Sequence, residues 1–393
     1  MKSDPVVILS ARRTPVGAFQ GVFASVAAPQ LGAVAIKAAL SGSGLAASEV
    51  SEVIMGCVLS AGIGQAPARQ AALAAGLPTS TPATTVNKMC GSAMRAVMLG
   101  ADQILAGTAR VIVAGGLESM TNAPYLLPKA RAGYRMGNQE VLDHMFFDGL
   151  QSPWDGQLMG CFAEATSEKY GFTRQAQDEF AAESVRRALA AVNDGAFASE
   201  VAPVSTKTRK GEVLVDKDET PFTLDIAKIP TLKPAFKKDG TVTAASSSGI
   251  SDGAAALVLA RESFAASKGL KPLARILGYT SFAREPEWFT VAPVGAMQKL
   301  LSQLEWRAND VDLYEINEAF AAVTMAAMKD LSLDHAKVNV NGGACALGHP
   351  IGATGARIMT TLLHALKARG KRRGIASLCI GGGEATAIAV ELV

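Results

Sequence analysis

Three reactive side chains stand in this sequence at places where the chain changes direction. Cys90 lies in Val86-Asn87-Lys88-Met89-Cys90-Gly91-Ser92-Ala93-Met94, His349 in Cys345-Ala346-Leu347-Gly348-His349-Pro350-Ile351-Gly352, and Cys379 opens Cys379-Ile380-Gly381-Gly382-Gly383. A thiol, an imidazole and a second thiol are the parts of covalent chemistry: a nucleophile, its base and a further acid/base. Cys90 falls between a β-leaning run beginning at Pro82 and a helix-forming run over 92–105, at or just before a helix N-terminus. Unpaired N–H groups and the positive dipole end there favour an anion, which predicts a lowered thiol pKa. His349 occupies a glycine-rich turn before a helix. Cys379 ends a strand, and the glycines after it leave backbone N–H groups open to a ligand. Asn317, in Tyr314-Glu315-Ile316-Asn317-Glu318-Ala319-Phe320, reads either as the N-cap of a small-residue helix or as a site residue. Singly, each has a structural reading, a free cysteine being most often a small buried apolar residue. Together they stand at turns following strands, where open α/β sheets place their sites.

The elements that must position them follow a simple alternation. Residues 6–10 form a strand candidate, 29–40 a helix, 50–59 include a strand, and 66–75 form a small-residue helix closed by Gly76 and Pro78. Arg110-Val111-Ile112-Val113-Ala114-Gly115-Gly116 is a strand running into a glycine turn. The alternation predicts a mostly parallel α/β layer. From about 118 to 248 the texture becomes irregular, and only 173–192 reads as a clear amphipathic helix. This stretch is expected to be an insertion that covers the site. After it the first texture returns. Val338-Asn339-Val340-Asn341, then Gly352-Ala353-Thr354-Gly355-Ala356-Arg357, then Ile375-Ala376-Ser377-Leu378-Cys379 parallel Val86-Asn87, Gly91-Ser92-Ala93-Met94-Arg95 and Val111-Ile112-Val113-Ala114. Two copies of one unit would then face each other with the ligand between them.

Composition narrows the classes. The 393 residues are 49% hydrophobic and 19% charged, an ordinary globular balance with room for two or three domains. A formal charge of +3 gives no argument for nucleic acid, and Lys367-Ala368-Arg369-Gly370-Lys371-Arg372-Arg373 reads as a solvated helix end. Cys57, Cys90, Cys161, Cys345 and Cys379 are odd in number and include no C-x-x-C pair, which fits a reducing compartment. The apolar run after Met1 is too short for a secretory signal, and no run reaches the ~18–20 residues of a membrane span. A cytoplasmic protein is expected. Gly249-Ile250-Ser251-Asp252-Gly253 matches the G-x-S-x-G elbow, with Ser251 as nucleophile and His349 or His364 as base, but the small, polar 243–248 is not the strong strand an elbow needs. Cys345 and His349 lack the further ligands of a zinc site, so no metal is expected. Neither G-x-G-x-x-G nor G-x-x-x-x-G-K-[ST] is present.

Four ordered blocks, the Cys90 segment, Asn317-Glu318-Ala319-Phe320-Ala321-Ala322, Asn341 through Gly352 with its Gly348-His349-Pro350, and Cys379-Ile380-Gly381-Gly382-Gly383, resemble the motifs of the thiolase family over essentially the whole length. The resemblance implies an α/β thiolase fold of five layers, α-β-α-β-α, with two pseudo-symmetric halves. It divides the chain into 1–118 plus 249–270, a loop domain at 119–248 over the CoA site, and 271–393. It implies acetyl-CoA C-acetyltransferase activity: reversible condensation of two acetyl-CoA to acetoacetyl-CoA and CoA. In that scheme Cys90 is acylated, His349 is its base, Cys379 exchanges the Cα proton, the N–H groups of Cys90 and Gly381 hold the acyl oxygen, and His349 with a water placed by Asn317 holds the enolate oxygen. Leu150, Met159, Phe236, Ala244, Ser248, Ala319 and Phe320 match CoA contacts of related enzymes. CoA and its thioesters are substrates, no tightly bound cofactor is implied, and a homo-oligomer, dimer or tetramer, working in fatty acid metabolism is expected. Three positions depart from the pattern: Leu158 where a histidine is frequent, Phe289 where a methionine is common near the acyl pocket, and Glu384-Ala385 where Met-Gly is frequent. A broader 3-oxoacyl-CoA thiolase, a decarboxylating ketosynthase and a non-catalytic acyl-CoA binding protein are the alternatives. Cys379 argues against the second and the complete reactive set against the third.

Overall fold

The computed structural model describes residues 4–208 and 211–393; residues 1–3, which open the segment read for a leader, lie outside them. Nine strands and the short Gly17–Ala18 form one ten-stranded sheet: β1 (Val6–Arg13), β2 (Glu52–Gly56), β3 (Ala83–Val86), β4 (Val111–Ser119), β5 (Ser251–Arg261), β6 (Ala274–Ala283), β7 (Leu313–Ile316), β8 (Arg373–Ile380) and β9 (Glu384–Leu392). Their order is β7-β8-β9-β6-β1-β5-β4-β2-β3. Only β2 with β3, β2 with β4 and β7 with β8 pair in parallel; the other pairs run antiparallel. The sheet is therefore mixed, not mostly parallel. Parallel pairs survive where a helix intervenes between strands, and β8 and β9 are joined by a tight hairpin that forces antiparallel pairing.

The order reads the same outward from the centre in both directions, which is the pseudo-twofold suggested by the repeat. Where the halves meet, β1 and β6 share only the pairs Val7↔Arg275 and Ile8↔Ala274. The counterpart of β3 in the second half is shortened: Val338 makes a single bridge to Tyr314, and the Asn339 side chain supplies the next ladder bonds, accepting from Ile316 N and donating to Ile316 O, each at 2.8 Å.

Helices α1 (Ala28–Ser43) and α2 (Pro67–Ala74) cover the first half through Leu31, Ile36 and Ala71 against Val53, Val113 and Val258. Between the halves lie α3 (Ser92–Ala106) and, later in the chain, a second small-residue helix described below. The stretch between β4 and β5 carries α4 (Met159–Tyr170) as well as α5 (Arg174–Asn193). Only α5 was visible as an amphipathic pattern; α4 buries Gly160, Phe162, Ala163, Glu164, Thr166 and Ser167, so its buried face mixes polar with apolar residues. The second half is covered by α6 (Ala292–Gln303) and α7 (Ala321–Asp330) through Met297, Leu300 and Ala327. After the single turn α8 (Ala344–Leu347), α9 (Thr354–Ala368) is the partner of α3. Met94, Val97 and Ile104 of α3 and Ile358, Met359 and Leu362 of α9 share one core with both half-sheets, so that helices and sheet halves stack in five layers. Among the described residues no helix is long and apolar enough to cross a membrane.

Candidate active site

The Cys90 loop is built by its own polar side chains. Asn87 Oδ1 accepts from Met89 N at 2.9 Å, while Ser92 Oγ accepts from Lys88 N at 2.8 Å and donates to Met89 O at 2.6 Å. These bonds hold Met89 at φ 48°, a left-handed conformation that a non-glycine residue adopts only when over-determined. Cys90 follows at the entrance to α3, whose N-cap is Gly91. The Cys379 side is built by backbone geometry. Cys379 pairs with Ala385 and Ile380 with Glu384, so Gly381, Gly382 and Gly383 are the turn of the β8–β9 hairpin. Gly382 at φ 96° and Gly383 at φ 90° take conformations that side chains disfavour.

His349 is held from three directions. Its N–H donates to Gly249 O at 3.0 Å, its Nδ1 lies 2.7 Å from Thr354 Oγ1, and its Nε2 lies 3.5 Å from Asn317 Nδ2. The Thr354 hydroxyl donates its single hydrogen to Pro350 O at 2.9 Å. It must therefore accept from His349 Nδ1–H, which leaves Nε2 unprotonated and able to accept from the Asn317 amide. Burial, then the charge of the nearby Arg357, pushes the imidazole down to about 3. His349 is neutral at pH 7.

Both thiols are also neutral at rest. The expected lowering of the Cys90 pKa is not found: burial pushes the thiol up to about 11, outweighing the backbone N–H groups of Gly381 and Cys90 that favour its anion. Helix-end stabilisation is a surface-scale effect, and removal from water is larger. Cys379 is fully buried and raised well above the ordinary range, by burial first and by the proximity of Cys90 second.

One cavity is lined by Cys90, His349, Cys379 and Gly381 together with Leu150, Met159, Phe236, Ser248, Ala319 and Phe320. Ala244 is exposed and not among its lining residues. Asn317 lies behind His349, fully buried, and its Oδ1 has no protein partner, as suits an acceptor for a water. It is not an N-cap: α7 starts four residues later with Phe320 in that position. Leu158 and Phe289 both line the cavity, and Phe289 packs edge-on to Phe162 at 6.1 Å between centroids. Glu384 forms an ion pair with Lys88. Ser251 opens β5, fully buried, with its hydroxyl donating to Gly249 O, and His364 bonds Ser199 and Ala11 O, so the hydrolase elbow is absent. Cys345 is buried against Glu318.

Two buried carboxylates escaped the sequence reading. Glu118, at the end of β4, accepts from Val58 N, Leu59 N and Gly352 N at 3.0, 3.1 and 2.8 Å, and so fastens the turn after His349 to the first half. Glu318 accepts from Ser184 Oγ, Asn339 Nδ2 and Cys345 N at 2.7, 2.8 and 3.1 Å, tying α5 to the second half beside Asn317. Each stands in or next to a segment already singled out, Glu118 directly after Gly115-Gly116-Leu117 and Glu318 within the Asn317 block. Thr354 carried no signal beyond its place at the start of a helix.

The arrangement offers two protonated thiols and an unprotonated base around an apolar cavity, with the backbone N–H groups of Gly381 and Cys90 acting on the Cys90 sulfur. Such a set can form a thioester on one sulfur and move a carbon-bound proton with the other. Family models for "Thiolase, N-terminal domain" and "Thiolase, C-terminal domain" match residues 6–263 and 270–392. The chain is 51% identical to an acetyl-CoA acetyltransferase of Cupriavidus necator over 390 residues, 98% of this chain and 99% of that one. It is likewise 51% identical to one from Escherichia coli K12 over 387 residues, 98% of each chain. Among solved structures, the Bacillus anthracis acetyl-CoA acetyltransferase superposes with a TM-score of 0.97 at 43% identity, covering 99% of both chains. The Acat5 thiolase of Ascaris suum in complex with coenzyme A gives 0.94 at 45%, covering 99% of this chain and 100% of that one.

Proposed function

Because the chain belongs to the thiolase family, we propose that it is an acetyl-CoA C-acetyltransferase that interconverts two acetyl-CoA with acetoacetyl-CoA and CoA through an acetyl thioester on Cys90. The observation that carries this reading is the convergence of Cys90, Cys379 and His349, with its unprotonated Nε2, on one cavity. In thiolysis the Cys90 sulfur attacks the 3-keto carbon of acetoacetyl-CoA as its proton passes to His349 Nε2. The N–H groups of Cys90 and Gly381 hold the oxyanion. The carbon–carbon bond breaks, and the departing acetyl-CoA enolate takes the Cys379 proton while His349 and an Asn317-bound water hold its oxygen. Incoming CoA returns a proton to Cys379 and attacks the thioester; Cys90 leaves and recovers its proton from His349. Condensation is the same sequence reversed.

Neutral resting groups suit this cycle, since burial keeps the Cys379 thiol protonated and the enolate carbon is a strong enough base to take that proton. CoA lies along the cavity wall formed by Leu150, Met159, Phe236, Ser248, Ala319 and Phe320, with Ala244 outside it toward solvent. The buried Phe289–Phe162 pair favours short acyl groups. The halves at 1–118 plus 249–270 and 271–393 hold the reacting groups, and 119–248 covers the CoA. We also propose a cytoplasmic homo-oligomer, dimer or tetramer, serving fatty acid metabolism; five free thiols support the compartment, and exposed Tyr125, Leu127, Met136 and Val141 support association. Thiolysis of acetoacetyl-CoA and of a six-carbon 3-oxoacyl-CoA, by wild type and Cys90→Ser, tests the substrate assignment. Strong preference for the four-carbon substrate, abolished in the variant, is expected; equal rates on both would move the assignment to a broader 3-oxoacyl-CoA thiolase.

A further inference from the structure

The two backbone donors assigned to the acyl oxygen come from different halves of the molecule, so the bonds within each loop do not fix its distance from the other. Cys90 N–H follows Met89, which sits at φ 48°, and Gly381 N–H opens a turn of three glycines. The loops nevertheless approach closely: a Cβ placed on Gly91 would lie 2.4 Å from Ile380 Cδ1. Apolar contact alone lets such loops slide. Among the described residues, one ion pair joins them, between Lys88, two residues before Cys90, and Glu384, the residue after the glycine turn. Lys88 and Glu384 side chains are 26% and 36% exposed.

We propose that the Lys88–Glu384 pair is a clamp that sets the spacing of the Cys90 and Gly381 N–H donors, which makes both of them positioning residues for acyl transfer. This inference rests on the acyl-enzyme reading above. A half-exposed pair adds little to global stability. Its leverage is geometric: donors fixed in advance at the developing oxyanion act without reorganisation, and a ~1 Å misplacement can cost up to about 10²-fold in rate. Glu384 does this as a charged residue at a position where the family resemblance leads one to expect an uncharged one.

Pre-steady-state CoA release from acetyl-CoA, which reports acetylation of Cys90, separates a clamp from a surface ornament. It is measured for wild type, Lys88→Met, Glu384→Gln, the double variant and the charge exchange Lys88→Glu/Glu384→Lys, with thermal unfolding and CoA affinity followed alongside. Each single variant is expected to acetylate roughly tenfold more slowly, with midpoint and CoA affinity unchanged, short of the ~10²–10³ lost with an oxyanion donor itself. The double variant should be no slower than either single one, the exchange should recover to within about threefold, and added salt should slow wild type and the exchange but not the single or double variants. Single variants at the wild-type rate, or losses that multiply in the double variant, would overturn the clamp while leaving the acyl-enzyme reading intact. A wild type that releases no CoA would overturn both.

Discussion

At the scale of single residues, the site works from neutral groups. A Cys90 thiol raised to about 11 beside an imidazole lowered to about 3 cannot rest as a thiolate–imidazolium pair. The proton must move as the sulfur attacks. Alkylation of Cys90 by iodoacetamide in the unliganded protein should therefore rise with pH toward about 11; a plateau starting below neutrality would mean that the ion pair is preformed. Thr354 fixes the tautomer that makes His349 a base. Thr354→Val should lower kcat about ten- to a hundredfold with KM for CoA nearly unchanged, less than the full ~10²–10⁴ of general-base catalysis. A fall in affinity without a fall in kcat would contradict that role. The reactive residues could be read from the sequence because their neighbours are glycines, prolines and small residues that build turns. The protonation states could not, since they depend on burial by segments hundreds of positions away.

At the scale of elements, the site is a meeting of turns on glycine-lined strands. Gly116 of β4 lies under the turn after His349, where a Cβ would fall 2.1 Å from Gly352 O and 2.7 Å from Ala93 Cβ. Gly116→Ala is expected to destabilise the protein by about 1–3 kcal/mol through overpacking and to lower kcat as His349 shifts, read by urea unfolding and steady-state kinetics. Unchanged stability would mean that the turn is free to move. Helices α1, α2, α3 and α5 and the β8–β9 turn were legible, because each has an apolar period or a glycine stop. Helix α4 was not, since its buried face includes Glu164, whose carboxylate accepts from Thr241 N and Val242 N. Nor was the sheet's mixed character, which follows from pairings between strands far apart in sequence, such as β5 with β4 and β1.

At the scale of the whole molecule, the stretch between β4 and β5 is stapled to the sheet and to α9. Arg13 of β1, fully buried, donates from Nε to Glu200 at 2.6 Å and from both Nη atoms to Asp218 at 2.7 and 2.9 Å, and Glu200 also accepts from Thr361 of α9 at 3.0 Å. Arg13→Met would leave two buried carboxylates uncompensated and should cost about 3–5 kcal/mol in urea unfolding. A loss under about 1 kcal/mol, the value of a surface pair, would show that the staple is dispensable. The repeat in the sequence announced the two halves. It did not announce this staple, because Arg13 and Asp218 meet across the fold and neither belongs to a motif. The proposed cycle requires that the two thiols divide the work, Cys90 carrying the acyl group and Cys379 only a proton. Peptide mapping of wild type and Cys379→Ser after acid quenching with acetyl-CoA bound tests it most directly. An acetyl group on the peptide holding Cys90 in both proteins, and on no other, is predicted; acetyl on Cys379, or none on Cys90, would contradict that division.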